Sequence, residues 1–438
     1  MNPKADDFDP VSVEGSVESV SGLSIEIADR LGALDIGARV EIERAGDVVL
    51  AEVVGLRAGT ALALPFGGLA GVRRGARARF LHDRGGLRPC PDWRGRVVNG
   101  LGAPIDGGGP LKQGRRLMRL RATPPPAPAR ARLGKRIDFG VKALNAFAAA
   151  RAGQRLGVFS AAGVGKSSLL SMIARNADFD VNVIALIGER GREVREFIED
   201  HLGTSGLAKS VVVAATSDEP ALLRREAAFV ALTVAEYFRD RGARVLCLMD
   251  SLSRVAAAQR EIGLAAGEPP TARGFTPTVF SLLPSLLERA GPGLDDGAAG
   301  SITGVFSVLV EGDDHDEPIA DAARAILDGH VVLSRRIAES GRYPAVDVLR
   351  TISRSAAGAA GEQETALVTR LRASEALFED MREMIRIGAY RAGSDAEVDR
   401  AVGLHRRLEA FLQQDVGACV GVADTFAGLA ALVETEAA

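Results

Sequence analysis

Residues 158–170 read VFSAAGVGKSSLL, and the residue types there suit the holding of phosphate. Gly163 and Gly165 are free to take positive φ, so successive backbone N–H groups can turn inward as an anion nest. The Lys166 ammonium can reach β and γ phosphates, and the Ser167 hydroxyl can hold Mg2+. The loop template G-x-x-x-x-G-K-[ST] opens with glycine, whereas this chain has Ser160. Small size is the main demand at that position. Ser160, Ala161 and Ala162 meet it, Val164 needs no special chemistry, and Ser168 continues into the segment that follows. The competing reading is a small-residue strand-to-helix turn that happens to contain G-K-S. Context argues against it, because RLGVF before the loop reads as a buried strand and SSLLSMIARNA after it as an amphipathic helix.

Two further stretches carry groups that nucleotide chemistry needs. RVLCLMD is an apolar run ending in Asp250, where a carboxylate at a strand's C-terminal edge can hold the Mg2+ water shell beside the loop. LIGERGREVREF puts Glu189 and Arg190 just past another strand, where a carboxylate can orient the water that attacks the γ-phosphate. Taken alone, those charges also fit a solvated helix start. Ser251, Ser253 and Arg254 in DSLSR reinforce the site or cap a helix, and both readings stand.

The elements that must position these residues follow from composition and period. At 438 residues the chain should divide into two or three domains. With 47% hydrophobic and 25% charged residues it has an ordinary globular composition, and a net charge of −3 gives no overall pull toward nucleic acid or anionic membrane. The N-terminal stretch MNPKADDFDP lacks signal-peptide features, and no apolar run approaches the roughly 20 residues of a membrane span. Cys90, Cys247 and Cys419 are far apart, which suggests reduced, buried thiols and a cytoplasmic setting. We expect a polar N-terminus over 1–12, then a β-barrel and connector over 13–122, from the alternating runs SIEIA, RVEIE, VVLAEVVGL and ALALPF. TPPPAPARAR suggests an extended linker over 123–133. Alternating apolar strands and helical patterns over 134–355 predict an α/β domain with a mostly parallel sheet. Residues 356–438 should be helical. Leu367, Leu371, Leu377, Met381 and Ile385 form one helix's core stripe there, and Ser394 with Glu397 makes a capping box for the next.

GERGREVREFIE, MDSLSR, GEPPTARGFTPTVFSLLPSLLERAG, GSITGVFSVLVEGDD, IADAARAILDGHVVLSRRIAESGRYPAVDVL and TISRS resemble the flagellar type III protein-export ATPase. That family is a relative of the catalytic subunit of rotary ATP synthases. The resemblance covers nearly the whole chain and includes GRVVNGLGAPIDGGGPL ahead of the linker. It implies a β-barrel, a RecA-like P-loop domain and a C-terminal helical domain, assembled as a homohexamer with ATP between subunits. It implies Lys166 and Ser167 as phosphate and Mg2+ ligands, Glu189 with Arg190 as catalytic, and Asp250 as the strand-end acid. Tyr343 in YPAVD is similar to the family's adenine-stacking tyrosine, and Arg354 in ISR to an arginine finger given to the neighbouring subunit. The implied partners are a stator-like regulator, a central stalk, export-gate proteins and chaperone–substrate complexes, with peripheral attachment at the inner membrane. Ala161 and Ala162 depart from the family's usual Gly and Ser.

Other readings share parts of this pattern. A RecA-like nucleic-acid motor should interleave aromatic and basic residues in its barrel, where this chain offers only Phe66 and Phe80. A non-catalytic ring subunit should lack the hydrolytic carboxylate, and Glu189 is present. A virulence-type secretion ATPase and a rotary ATP synthase subunit are the nearest alternatives. Asp313, Asp314, His315 and Asp316 suggest a solvated acidic turn ahead of a metal site, and His330 a structural role.

Overall fold

The computed structural model describes residues 13–81, 85–310 and 317–434. Alternation builds its first layer. In β2 (Ser24–Ala28) and β3 (Arg39–Arg44) the buried residues include Ile25 and Ile27, then Val40 and Ile42, which is the period of a half-buried strand. With β1 (Glu14–Ser21), β4 (Asp47–Arg57), β5 (Thr60–Pro65) and β6 (Arg77–Leu81) these strands close into a barrel of order β1-β2-β5-β4-β3-β6. Register shifts in β1, between Val17 and Ser19, and in β4, between Val53 and Gly55, bend the strands as bulges do. Phe66 and Phe80 are both buried.

After the barrel, β7 (Gly86–Leu87) pairs with β9 (Met118–Arg119), and β8 (Val97–Val98) joins the edge of the main sheet. The proline-rich stretch that follows is tied down. Arg130 donates through Nη2 to the Glu288 carbonyl at 2.7 Å, and the Ala131 N–H reaches the Gly293 carbonyl at 2.9 Å.

The main sheet adds β10 (Arg155–Ser160), β11 (Val181–Ile187), β12 (Ser210–Ala215), β13 (Arg244–Asp250), β14 (Gly291–Pro292), β15 (Ser301–Leu309), β16 (Gly329–Leu333) and β17 (Ile352–Ser353). Its order is β17-β16-β10-β15-β13-β11-β12-β8, with β14 alongside β15. Every pairing is parallel except β16 with β17 and β14 with β15. All seven residues of β11 are buried, because helices cover both faces of the sheet. On one face Val181, Val183, Ala185 and Ile187 pack with α5 (Ala221–Arg239), α6 (Leu252–Ala266), α7 (Pro277–Leu287) and α8 (Pro318–Ile326). On the other, Ile184 and Leu186 share a core with α1 (Lys142–Phe147) and α2 (Lys166–Asn176). Smaller helices α3 (Gly191–Glu196), α4 (Gly203–Ala208), α9 (Arg335–Glu339) and α10 (Ala356–Ala359) fill the connections.

The chain closes with α11 (Glu362–Arg386), α12 (Ala396–Leu412) and α13 (Val422–Glu434). The fold is thus an N-terminal β-barrel, a central α/β domain with a mostly parallel sheet, and C-terminal helices. Three expectations need correction. Of the α11 stripe only Leu371 is fully buried, while Leu367, Leu377, Met381 and Ile385 are half-covered, since α11 packs mainly along α12. The α12 cap is Asp395, whose Oδ1 accepts the N–H groups of Glu397 and Val398; the Ser394 hydroxyl turns back to the Arg391 carbonyl. Among the cysteines only Cys247 is buried, Cys90 being half-buried and Cys419 exposed.

Candidate active site

Strand β10 ends at Ser160, the chain turns through Ala161 to Gly165, and α2 begins at Lys166. Gly163 has φ 80° and Gly165 φ 87°, in the left-handed region where a side chain is strained. Gly165 has a second constraint. A β-carbon there would lie 3.1 Å from the ring of Tyr343, so glycine lets that ring close over the loop. Ala161 and Val164 are buried beneath the loop, whereas Ala162 and Ser167 are exposed. The Ser160 hydroxyl is buried and has no hydrogen-bond partner among the described residues.

Parallel register brings the charged groups together. β11, β13 and β15 run side by side, so Glu189 just past β11 and Asp250 at the end of β13 emerge at the same sheet edge as the loop. The Lys166 ammonium contacts Asp250 Oδ1 and lies 3.5 Å from Glu189 Oε1. Ser307 on β15 donates to the same Asp250 oxygen at 2.6 Å. Burial pulls the Lys166 pKa down, but the Asp250 and Glu189 carboxylates outweigh it and hold the ammonium above its ordinary range. Burial raises the Glu189 carboxyl, with Asp250 and a hydrogen bond that its protonated form donates to Glu193 adding to the rise and Lys166 opposing it.

A cleft of ≈ 350 Å³ adjoins the loop and is lined by Gly165, Ser168, Leu169, Met172, Tyr343 and Val416, among others. Tyr343 is 41% exposed there, with room for a flat ring beside it. Ser251 caps α6 by accepting the Arg254 N–H, and Ser253 exchanges hydrogen bonds with the backbone of Leu309. The stem of Arg254 packs against Gly188, beside Glu189. Arg190 stands at the start of α3 with its side chain 77% exposed, 3.8 Å from Glu193, and does not join the Lys166 cluster in this structure. Arg354 stands apart as well. Ser353 pairs with Gly329, which pairs with Leu156, so Arg354 leaves the sheet beside the start of β10 and not beside the loop at its end. His330 packs edge-on to Phe159 with centroids 5.6 Å apart. Asp313, Asp314, His315 and Asp316 lie outside the described residues.

Sequence reasoning missed Ser307 and the polar partners around Tyr343. A serine between the apolar pairs Val305–Phe306 and Val308–Leu309 of β15 was the available signal for Ser307.

Comparison with known proteins gives this geometry a lineage. Residues 140–353 match the nucleotide-binding domain of the ATP synthase alpha/beta family, 17–82 its beta-barrel domain, and 360–431 the T3SS EscN ATPase C-terminal domain. The flagellum-specific ATP synthase of Caulobacter vibrioides is 54% identical over 98% of this chain and 98% of its own. The chain belongs to the flagellum-specific ATP synthase family. The type 3 secretion system ATPase of Xanthomonas euvesicatoria is 46% identical over 91% of this chain and 89% of its own. A solved structure of the assembled ATPase EscN in complex with its central stalk EscO, from the enteropathogenic E. coli type III secretion system, superposes with a TM-score of 0.86. It is 37% identical and covers 96% of this chain and 100% of that one. In this family the loop, Asp250 and Glu189 fall within the matched nucleotide-binding domain.

Proposed function

We propose that this chain is the ATP-hydrolysing motor of a flagellar type III protein-export apparatus, with Lys166, Asp250 and Glu189 as the centre of its active site. The observation that carries the reading is the Lys166 ammonium held between two carboxylates at the mouth of a phosphate loop. Incoming β and γ phosphates take over the ammonium, which frees Glu189 to accept a hydrogen bond from the attacking water. Its raised pKa makes it a better proton acceptor than an ordinary glutamate. Residues 160–168 cradle the phosphates, and Tyr343 stacks on the adenine. The donors beside the loop, the Ser167 hydroxyl and the Asp250 carboxylate, are all oxygen and suit Mg2+. Held by those two residues, the ion would supply positive charge to offset that of the phosphates. Arg190 acts on the phosphates only after its side chain turns inward from α3.

The subunits form a homohexamer in which Arg354 reaches the nucleotide of a neighbour, and a central stalk fills the ring. The assembly and the stalk rest on the assembled, stalk-bound state of EscN, and the reach of Arg354 on its exposed place at the end of the sheet opposite the loop. A stator-like regulator, export-gate proteins and chaperone–substrate complexes complete the set of partners, at the cytoplasmic face of the inner membrane. No described helix is long and apolar enough to cross a membrane. A nucleic-acid motor is disfavoured because Phe66 and Phe80 are buried, leaving the barrel no stacking platform among its described residues. The higher identity to a flagellar relative than to the Xanthomonas secretion ATPase favours the flagellar role. Deletion of the gene should abolish filament assembly, with recovery from the wild-type chain and none from Lys166→Ala. Normal filaments alongside a lost virulence-type secretion would transfer the protein to that system.

A further inference from the structure

Tyr343 projects from a segment whose other side chains are almost all hidden. It is 41% exposed, whereas Arg342 is 4%, Ala345 1% and Val346 0% exposed. A solvent-facing ring on so short a segment needs a frame, and two residues supply it. The Arg342 guanidinium donates through Nη1 to the Pro344 carbonyl and through Nη2 to the Val346 carbonyl, both at 2.9 Å. The same group pairs with Glu409 on α12, Nε with Oε2 at 3.1 Å and Nη2 with Oε1 at 3.1 Å. Just beyond α12, the Gln414 N–H reaches the Tyr343 carbonyl itself at 2.9 Å. Gln414 is locked in turn, since its amide donates to the carbonyls of Gly140 and Ala418 and accepts the Lys142 N–H.

We propose that the Arg342–Glu409 pair is a positioning device that holds Tyr343 over the phosphate loop and so sets affinity for the nucleotide base. The inference rests on the reading of Tyr343 as the base-stacking residue. The chemistry explains why arginine serves here. Its planar fork bridges two carbonyls and a carboxylate at once, which a lysine ammonium on a flexible stem does with less geometric control. The ring lies close over the loop, near enough that even a β-carbon at Gly165 would crowd it at 3.1 Å. A small rotation of the Tyr343 segment therefore opens or narrows the base cleft without touching Lys166, Asp250 or Glu189.

The test is a double-mutant cycle on the full chain, with ATP as the probe, reading KM, kcat and equilibrium ATP binding. Glu409→Gln keeps the shape of a partly exposed side chain and removes its charge. It should raise KM and the dissociation constant by about 3- to 10-fold with kcat little changed, and Glu409→Asp should restore part of the loss. Tyr343→Ala should raise KM by itself. In the Tyr343→Ala background, Glu409→Gln should then add nothing, because the group it acts through is gone. Full additivity, or an unchanged KM in Glu409→Gln where Tyr343→Ala raises it, would overturn the inference and leave the base-stacking reading intact. An unchanged KM in Tyr343→Ala would overturn both. A fall in kcat and melting temperature at constant KM would assign the pair to stability alone.

Discussion

At the scale of single residues, the proposed site would make two separable demands, charge at Glu189 and Lys166 and small size at Ser160. Glu189→Gln keeps the loop contacts, so ATP binding should persist while turnover falls by roughly two to four orders of magnitude. Because burial raises the Glu189 pKa, and only the carboxylate accepts a proton, activity should fall on acidification at a pH above the ordinary glutamate value of about 4.3. Near-normal turnover in Glu189→Gln, or an acid limb at or below that value, would remove Glu189 from the role. Lys166→Ala should abolish turnover. Ser160→Ala removes a buried hydroxyl without a described partner, so it should keep hydrolysis and leave melting unchanged or raised, and Ser160→Gly should be mild. Damage from either Ser160 change comparable to that of Lys166→Ala would mean the hydroxyl meets the nucleotide. Lys166, Glu189 and Asp250 were legible because each ends or follows a recognisable strand. Ser307, Arg342 and Glu409 were not, because only the register of β13 against β15, and the packing of α12 on the Tyr343 segment, brings their partners within reach.

Helix α5 states the problem at the scale of elements. Nearly its whole circumference is buried, 17 of 19 residues, although it carries Arg225, Glu226, Glu236 and Arg239. Its charges are matched across elements. Arg225 meets Glu52 of β4 at 2.7 Å, Glu226 meets Arg121 at 2.7 Å, and Glu236 meets Arg289 at 2.6 Å. The strand β4 therefore docks on α5 through a buried ion pair, and losing one partner leaves an uncompensated charge. Glu52→Ala should destabilise the protein by about 3–5 kcal/mol, whereas replacing both Glu52 and Arg225 with apolar residues of similar size should recover most of that. Thermal or denaturant melting of the single and double variants decides it. Equal losses in both would mean that the pair contributes through packing and not charge. The helical period of α5 was readable from sequence, but a helix with four of its five charges buried looks the same on paper as one exposed on its polar side. The α12 start was likewise legible to within a residue, since Ser394 and Asp395 are both good caps and only the backbone selects Asp395.

At the scale of the whole molecule, the position of Arg354 bears on the proposal that the site is completed by a second subunit. Leu156, level with the Arg354 end of β17, stands four residues before Ser160, or about 13 Å down the sheet at the usual strand rise. Exposed, and with its Nη2 donating to the Arg324 carbonyl at 3.3 Å, Arg354 leaves the sheet at the end opposite the loop, a place that suits a neighbour's nucleotide better than its own. An arginine finger is worth about 10³ to 10⁵ in rate. Arg354→Ala and Lys166→Ala should each be nearly inactive, yet mixing them should restore partial ATPase activity that grows with protein concentration. No recovery in rings shown to be mixed would return Arg354 to a role within its own subunit. The order of barrel, sheet and helices was legible from period and composition alone. The end of the sheet at which Arg354 emerges was not, since it depends on the antiparallel turn into β17. The edges of the main sheet have a consequence for any such ring. Both edge strands, β8 and β17, are two residues long, and the barrel closes on itself. Neighbouring copies thus find almost no free backbone on which to extend a sheet, which guards a crowded pool of subunits against fibrous growth. In the proposed ring the seams would then be made of side chains, whose contacts can part and re-form one at a time as nucleotides come and go.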